Sequence, residues 1–384
     1  MERALERVKV LDLTMQLPGP YMTWLMAGLG AEIIKVENPE GGDYARAIRS
    51  GADDPPLGFN AINRNKKSLA LNLKSGEGRE LFLRLLDEYD VVVEGFRPGV
   101  MSSLGLDYEN LRARQPRVIM VSISGYGQDG PYRLRAGHDL NYLSQAGIIG
   151  MTGTRDGRPG IPGVQIADVA GGSLTALVGL LAALYQRGQT GKGQYLDAAM
   201  FDGSFSMAVM LFGMVASGLT KPSIGGMFLN GGLPCYGLYQ TKDGRYMSLG
   251  ALEFKFWNNF CQALGREDLL DKQFGPPDYR EEVDRIFSQK TQAEWVEFMQ
   301  EVDACCEAVL TFEEAVDSSQ VQARGLVTTW PDGSRYLASP LKLSASPIKP
   351  DEPAPELGQH NKEILSSLGL TEEDVNGLAQ RGVI

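Results

Sequence analysis

The feature that most limits what this chain can fold into is the alternation of strand-like and helix-like segments that runs from Val8 to Gly125. VKVLDL is a short β-rich run, PGPYMTWLMAGLG reads as a helix ending in glycine, and AEIIKVENP reads as a strand closed by Pro39. A second cycle passes through KSLALNL, the amphipathic GEGRELFLRLLDEYD and the strand VVVEGF. The helical DYENLRARQP and the strand RVIMVSISG complete it. Strands alternating with helices at this spacing predict βαβ units around a parallel sheet. Ligands of such sheets bind beyond the carboxyl ends of the strands. The loops after Leu13, Leu73, Glu94 and Ser124 are therefore where a site is expected.

The pattern then changes. From about Gly125 to Gly172 glycine and proline punctuate the chain, which predicts loops. Two apolar helices are expected over about 173–187 and 200–218. A second Gly-rich loop, GGMFLNGGLP, leads into a hairpin whose turn is Asp243-Gly244. Residues from about 225 to 325 read as a separate α+β unit, followed by a proline-rich connector and terminal helices. With 384 residues, 43% of them hydrophobic and 22% charged, two cores are affordable and extensive disorder is not expected.

Charge and cysteine usage exclude several function classes. A net charge of -11 and a pI near 4.9 disfavour nucleic acid and anionic membrane as partners. An anionic ligand would need a local basic patch, and the stretch from Arg46 to Lys74 offers one. Cys235, Cys261, Cys305 and Cys306 show no CxxC spacing, and with two histidines in the chain no metal site is expected. Free thiols in a reducing compartment are the expectation. MERALERVKVLDL lacks a signal pattern. SLTALVGLLAALY and FSMAVMLFGMVASG fall short of the roughly 20 apolar residues a membrane span needs, so a cytoplasmic protein with no membrane partner is expected.

Five acidic or basic positions invite chemistry. Gly125-Tyr-Gly-Gln-Asp-Gly130 spells GxGxxG, but the segment after it is too short and loop-like to be the helix that a dinucleotide pyrophosphate requires. His138, in RAGHDLNYLSQAG, lies in a loop beyond a strand end, and histidine is the side chain readiest to exchange a proton near neutral pH. Asp168 precedes VAGGS and an apolar helix; it reads either as an N-cap or as a carboxylate beside a ligand that the glycines allow to approach. Glu253, in GALEFKFW, reads locally as a first-turn glutamate favoured by the helix dipole. Lys74 and Arg97 lie at the ends of sheet segments, as surface charges or phosphate contacts.

These residues sit within segments that resemble one family along essentially the whole chain. PGP at Pro18–Pro20, KSLALNLK, EGFRPGVMSSLGL, SGYGQDGP, AGHDLNY, IADVAGG, TGKGQYLDAAMFDG and NGGLPCYGLYQTKDGRYMSLGALE resemble the family III CoA-transferases (CaiB/BaiF), and within them the α-methylacyl-CoA racemases. The resemblance implies a Rossmann-like large domain over 1–190 and 330–384, a helical linker over 191–224 and a small α+β domain over 225–329, assembled as an interlocked homodimer. It implies an acyl-CoA thioester as substrate, with coenzyme A arriving as part of it and no tightly bound cofactor.

Two mechanisms follow from the resemblance. In the transferases the aspartate matching Asp168 attacks the thioester and carries the acyl group as an anhydride. In the racemases that aspartate and a histidine matching His138 work on opposite faces of the α-carbon, one removing a proton and the other returning it. Glu253 matches the acid that pairs with the histidine. Coenzyme A is implied to lie against Gln16, against Leu71, Asn72, Leu73 and Lys74, against Gly95, Phe96, Arg97 and Gly99, and against Gly137, Asp139, Leu140, Asn141 and Tyr142. Asn38 and Ser103 stand where the racemases usually carry nucleotide-binding arginines, and Lys35, Arg46, Arg64 and Lys66 are the nearby substitutes. Asn230 replaces the acid of the racemase MLDGG-type loop.

Overall fold

β1 (Lys9–Leu13), β2 (Glu32–Glu37), β3 (Lys67–Ala70), β4 (Val91–Glu94), β5 (Ile119–Ser124) and β6 (Tyr195–Ala199) form one sheet in the order β3-β2-β1-β4-β5-β6. Every pairing is parallel. The computed structural model describes residues 2–51 and 54–384. Leu11 of β1 faces Ile34 on one side and Val92 on the other. The strand order therefore reverses between β1 and β4, and the loops leaving those two strands flank the crevice where α/β sheets bind ligands.

All residues of β4 and β5 are buried, as continuous apolar strands are when helices cover both faces. One covering helix, Gly76–Leu86, starts at Ser75, whose hydroxyl accepts the Gly78 N–H at 2.9 Å. It packs Leu81, Phe82 and Leu85 onto Leu11 and Val92, and Leu365 of the C-terminal helix Asn361–Ser367 closes the same core.

The chain divides into two compact units. The first comprises residues up to Ala146, with Val164–Met207 and Gly325–Ile384; the second comprises Gly147–Gly163 and Ala208–Arg324. This corrects the expected boundaries. Residues 191–207 are not linker but carry β6, the sixth strand of the sheet. A Cβ on Gly193 would lie 1.8 Å from the Val118 carbonyl oxygen, so glycine is what lets the chain pass that close on its way into β6. The helix expected over 200–218 is two helices, Met200–Ser206 and Val209–Ala216, parted at the unit boundary.

The helix expected from 173 begins earlier. A π-helical stretch, Ala167–Leu174, runs directly into the α-helix Thr175–Thr190. The resulting 24-residue helix is long and apolar enough to cross a membrane by length and composition, contrary to the expectation from the shorter apolar run. Here it covers the sheet, and its Arg187 reaches the Asp90 and Arg117 carbonyl oxygens at 3.1 and 3.2 Å.

In the second unit, β7 (Tyr236–Gln240), β8 (Tyr246–Gly250) and β9 (Cys306–Ala308) form an antiparallel sheet. Its hairpin turns at Asp243-Gly244 as expected, with Gly244 at φ +79°. Tyr239, Trp257, Phe260, Phe287 and Trp295 fill its core.

Candidate active site

The loop leaving β1 is held by buried charge. Lys35 donates to the Thr14 carbonyl at 2.7 Å and pairs with Asp43 at 2.9 Å. Asp43 in turn accepts the backbone N–H of Gln16 at 2.9 Å, fixing Gln16 in the left-handed region at φ +64°. Lys66 pairs with Asp12 at 3.3 Å and also donates to Asn63 at 2.8 Å. Burial raises the Asp12 carboxyl, but Lys66 and Lys35 outweigh it and hold it at about 2; burial brings Lys66 down to about 8. Arg46 is spent on Glu37 through two bonds of 2.7 and 2.8 Å. Arg64 is buried between Trp24 and Tyr336 and donates to the Leu337 carbonyl at 2.7 Å. The four cations expected to replace the missing nucleotide arginines are thus structural, because each sits out of water where an opposite charge or a carbonyl must satisfy it.

The loop after β3 behaves similarly. Leu71 belongs to the core, and Leu73 packs against it. Asn72 is tied to the C-terminus, its backbone N–H to the Val383 carbonyl at 2.7 Å and its side chain to Gly382 at 3.3 Å. Lys74 is exposed. After β4, Phe96 packs on the core and its N–H binds the Glu94 carboxyl at 2.7 Å, while Gly95, Arg97 and Gly99 are exposed. Burial pushes Glu94 up to about 7.

His138 and Asp139 open the helix Asp139–Gln145. His138 occupies the N-cap and is exposed, with its backbone N–H bound to Asn141 Oδ1 at 3.0 Å. Leu140 is also exposed, and its carbonyl accepts the Ser144 hydroxyl at 2.6 Å. Tyr142 is buried and closes the loop by donating its hydroxyl to the Gly137 carbonyl at 2.5 Å. A Cβ on Gly137 would meet the Tyr142 ring at 2.8 Å, which is why that position is glycine.

Asp168 is not an N-cap. It lies in the first turn of the π-helix, whose cap residue is Ile166. The capping carboxylate comes from Asp139, which accepts the Ala167 N–H at 2.6 Å and the Asp168 N–H at 3.1 Å. That leaves the Asp168 carboxyl free of the helix end. Burial, and then the charge of Asp139, push it up to about 7. Arg97 belongs to the same neighbourhood: burial, Asp168 and Tyr126 push Tyr142 up to about 12 while Arg97 opposes them. π-Turns inside α-helices are frequent at functional sites.

Ser173 was missed in the sequence. Its hydroxyl lies 2.5 Å from the Pro18 carbonyl and 2.9 Å from that of Asp168, linking the first turn of the helix Pro18–Gly28 to the turn that carries Asp168. Its offset of five from Asp168 is a contact spacing only in a π-helix, so α-helical periodicity gave no signal for it.

Glu253 belongs to the second unit, at the exposed N-cap of the helix Phe254–Ala263, with no capping bond from its side chain. Asn230 is in the same unit and holds its loop together. Its side-chain nitrogen donates to the Met151 and Ser223 carbonyls at 3.1 and 2.7 Å, and its oxygen accepts the Met227 N–H at 2.6 Å. It lines a cavity of about 780 Å³ with Gly225, Gly231 and Arg280. Gly125–Gly130 is a loop, and no helix starts until Asp139, so the GxGxxG spelling is not a dinucleotide site. Among the described residues no group of three or more metal-ligating side chains occurs.

The chain is 34% identical to the human α-methylacyl-CoA racemase over 99% of its own length and 97% of the relative's. It is 33% identical to the succinyl-CoA–D-citramalate CoA-transferase of Chloroflexus aurantiacus, over 100% of this chain and 98% of that one. The crystal structure of a CaiB/BaiF family protein from Brucella suis superposes with a TM-score of 0.82 at 30% identity, covering 96% of this chain and all of the other. The family model for CoA-transferase family III matches residues 5–361, and the chain belongs to that family of enzymes acting on acyl-CoA thioesters.

Proposed function

We propose that this enzyme moves the α-proton of a 2-methylacyl-CoA thioester, inverting the α-carbon, with Asp168 and His138 as the two proton-transferring groups. The observation that carries the reading is the Asp168 carboxyl, lifted to about 7 by burial and by Asp139. A group that exchanges protons in both directions works best when its pKa is near the working pH. The backbone N–H groups of Ala167 and Asp168, both donating to the Asp139 carboxylate, tie that carboxyl's turn to the residue immediately after His138. A thioester α-proton is weakly acidic, so its enolate needs preorganised donors, a task suited to backbone N–H groups of a glycine-rich loop. The family resemblance assigns Glu253 an acid–base part.

The test is incubation of one 2-methylacyl-CoA epimer in D2O with no acceptor acid. Loss of configuration with deuterium at the α-carbon supports the reading, and E253Q examined in the same assay tests the assignment of Glu253. A second reading is supported by the likeness to a CoA-transferase at 33% identity. In it, Asp168 attacks the thioester carbonyl and expels CoA, forming an acyl anhydride. Absence of exchange, together with CoA transfer to an added carboxylate and trapping of Asp168 by hydroxylamine, would establish that chemistry instead.

A homodimer is part of the proposal. Leu174, Val178, Leu181 and Tyr185 form an exposed apolar stripe on one helix, with Val178 at 69% and Tyr185 at 73% exposure. A second copy is the occupant that would remove such a stripe from water. The four cysteines are free, consistent with a cytoplasmic setting.

A further inference from the structure

Coenzyme A brings several phosphate charges to a protein of net charge -11, so its nucleotide end must meet locally uncompensated cations. In the first unit most basic side chains are already committed. Lys35, Arg46 and Lys66 are paired in the interior, and Arg112 and Arg114 are paired with Glu109 and Asp87. Among the described residues, Lys74, Arg97, Arg133 and Arg135 are exposed and have no carboxylate within ion-pair distance. All four lie on loops that follow β3, β4 and β5, the edge of a parallel sheet at which ligands bind. Arg49, after β2, is also exposed without such a partner, but its guanidinium is bound to the Arg46 and Asp54 carbonyls at 3.0 and 3.3 Å; Arg117 and Lys192 are exposed too but precede β5 and β6, at the opposite edge.

Arg135 differs from the other three in being held. Its guanidinium lies 3.7 Å from the centroid of the Tyr132 ring, and its backbone N–H binds the Tyr132 carbonyl at 2.8 Å. Tyr132 meets Tyr126 edge-on at 5.6 Å, and Tyr126 meets Tyr142 edge-on at 5.1 Å. Tyr142 is the residue that closes the Gly137 loop. A stacked guanidinium loses less freedom on binding than a free one and offers a planar fork that matches phosphate oxygens.

We propose that Arg135, stacked on Tyr132, grips the phosphates of the nucleotide end of coenzyme A, in place of the arginines absent at positions 38 and 103. This rests on the acyl-CoA reading of the site but not on the choice between proton transfer and CoA transfer. The ladder Tyr132–Tyr126–Tyr142 fixes the cation relative to the Gly137 loop, so nucleotide contact and thioester placement share one rigid element.

The test is calorimetric binding of free CoA, and of pantetheine, which lacks the nucleotide, to the full-length wild type, R135A, R135K and R117A. R135A should weaken CoA binding about 10- to 100-fold, the range for losing a charge-assisted bond, and leave pantetheine binding unchanged. R135K, which keeps charge without the stacked fork, should fall between R135A and wild type, and R117A should match wild type. CoA binding by R135A within twofold of wild type overturns the proposal, as does an equal loss of CoA and pantetheine. A wild type that binds no CoA would overturn the acyl-CoA reading itself, a result distinct from a failure of Arg135 alone.

Discussion

The carboxylate of Asp139 accepts the backbone N–H groups of both Ala167 and Asp168, at 2.6 and 3.1 Å. One acid thereby caps the helix that carries another, and its charge adds to burial in keeping that second acid protonated up to about pH 7.

Asp139 should therefore control the pH dependence of the reaction. D139N keeps an oxygen acceptor for the two N–H groups but removes the charge. Its pH–rate profile should lose activity at a lower pH on the acidic side than wild type does, because Asp168 then ionises more readily. D139A, which strands two N–H groups, should also lose roughly 1–3 kcal/mol of stability. An unshifted acidic limb in D139N would show that the Asp139 charge does not act on the reacting group.

Asp168 itself should cost the fold stability when ionised. Its folded pKa of about 7 lies above the ordinary 3.8, so the native state favours the protonated form. That advantage is complete below about pH 4 and disappears as pH rises through 7. D168N should thus lower turnover by about 100- to 10,000-fold and melt above wild type at pH 8, by an amount on the order of 1–3 kcal/mol. The melting difference should shrink towards pH 5. Equal melting curves at pH 8 would contradict the burial argument.

Ser173 should act on rate more than on substrate affinity. S173A removes the hydroxyl between the Pro18 and Asp168 carbonyls, costing about 1 kcal/mol of stability. We expect kcat to fall several-fold with KM nearly unchanged, since the loss loosens the turn of Asp168 and not a substrate contact. Steady-state kinetics separate the two; a rise in KM alone would be the wrong signature.

The buried cations should report on stability and not on CoA. K66M removes the ion-pair partner of Asp12 in the core, leaving it only Lys35 nearby, a loss of about 3–5 kcal/mol, readable by urea denaturation. Conditions that keep the variant folded should leave its CoA affinity close to wild type. A selective loss of CoA binding in a fully stable K66M would return Lys66 to the ligand.

The sequence by itself determined the parallel sheet, because β1 to β5 alternate with helices at a spacing only βαβ units satisfy. It also determined the hairpin at Asp243-Gly244 and, through motif resemblance, the family, with Asp168 and His138 as the expected reacting groups. Tertiary structure decided the rest. β6 was hidden because TGKGQYLDAAM is an edge strand of mixed polarity, and its path depends on Gly193 passing under the Val118 carbonyl. The cap of Asp168 was hidden because it is supplied by Asp139 from another helix, and Ser173 because its partner lies at π-helical spacing. Lys35, Arg46, Arg64 and Lys66 looked in one dimension like substitutes for the missing nucleotide arginines; folding set each against its own acid or carbonyl. A sequence records which charges a chain carries, and only packing decides which of them are already spent.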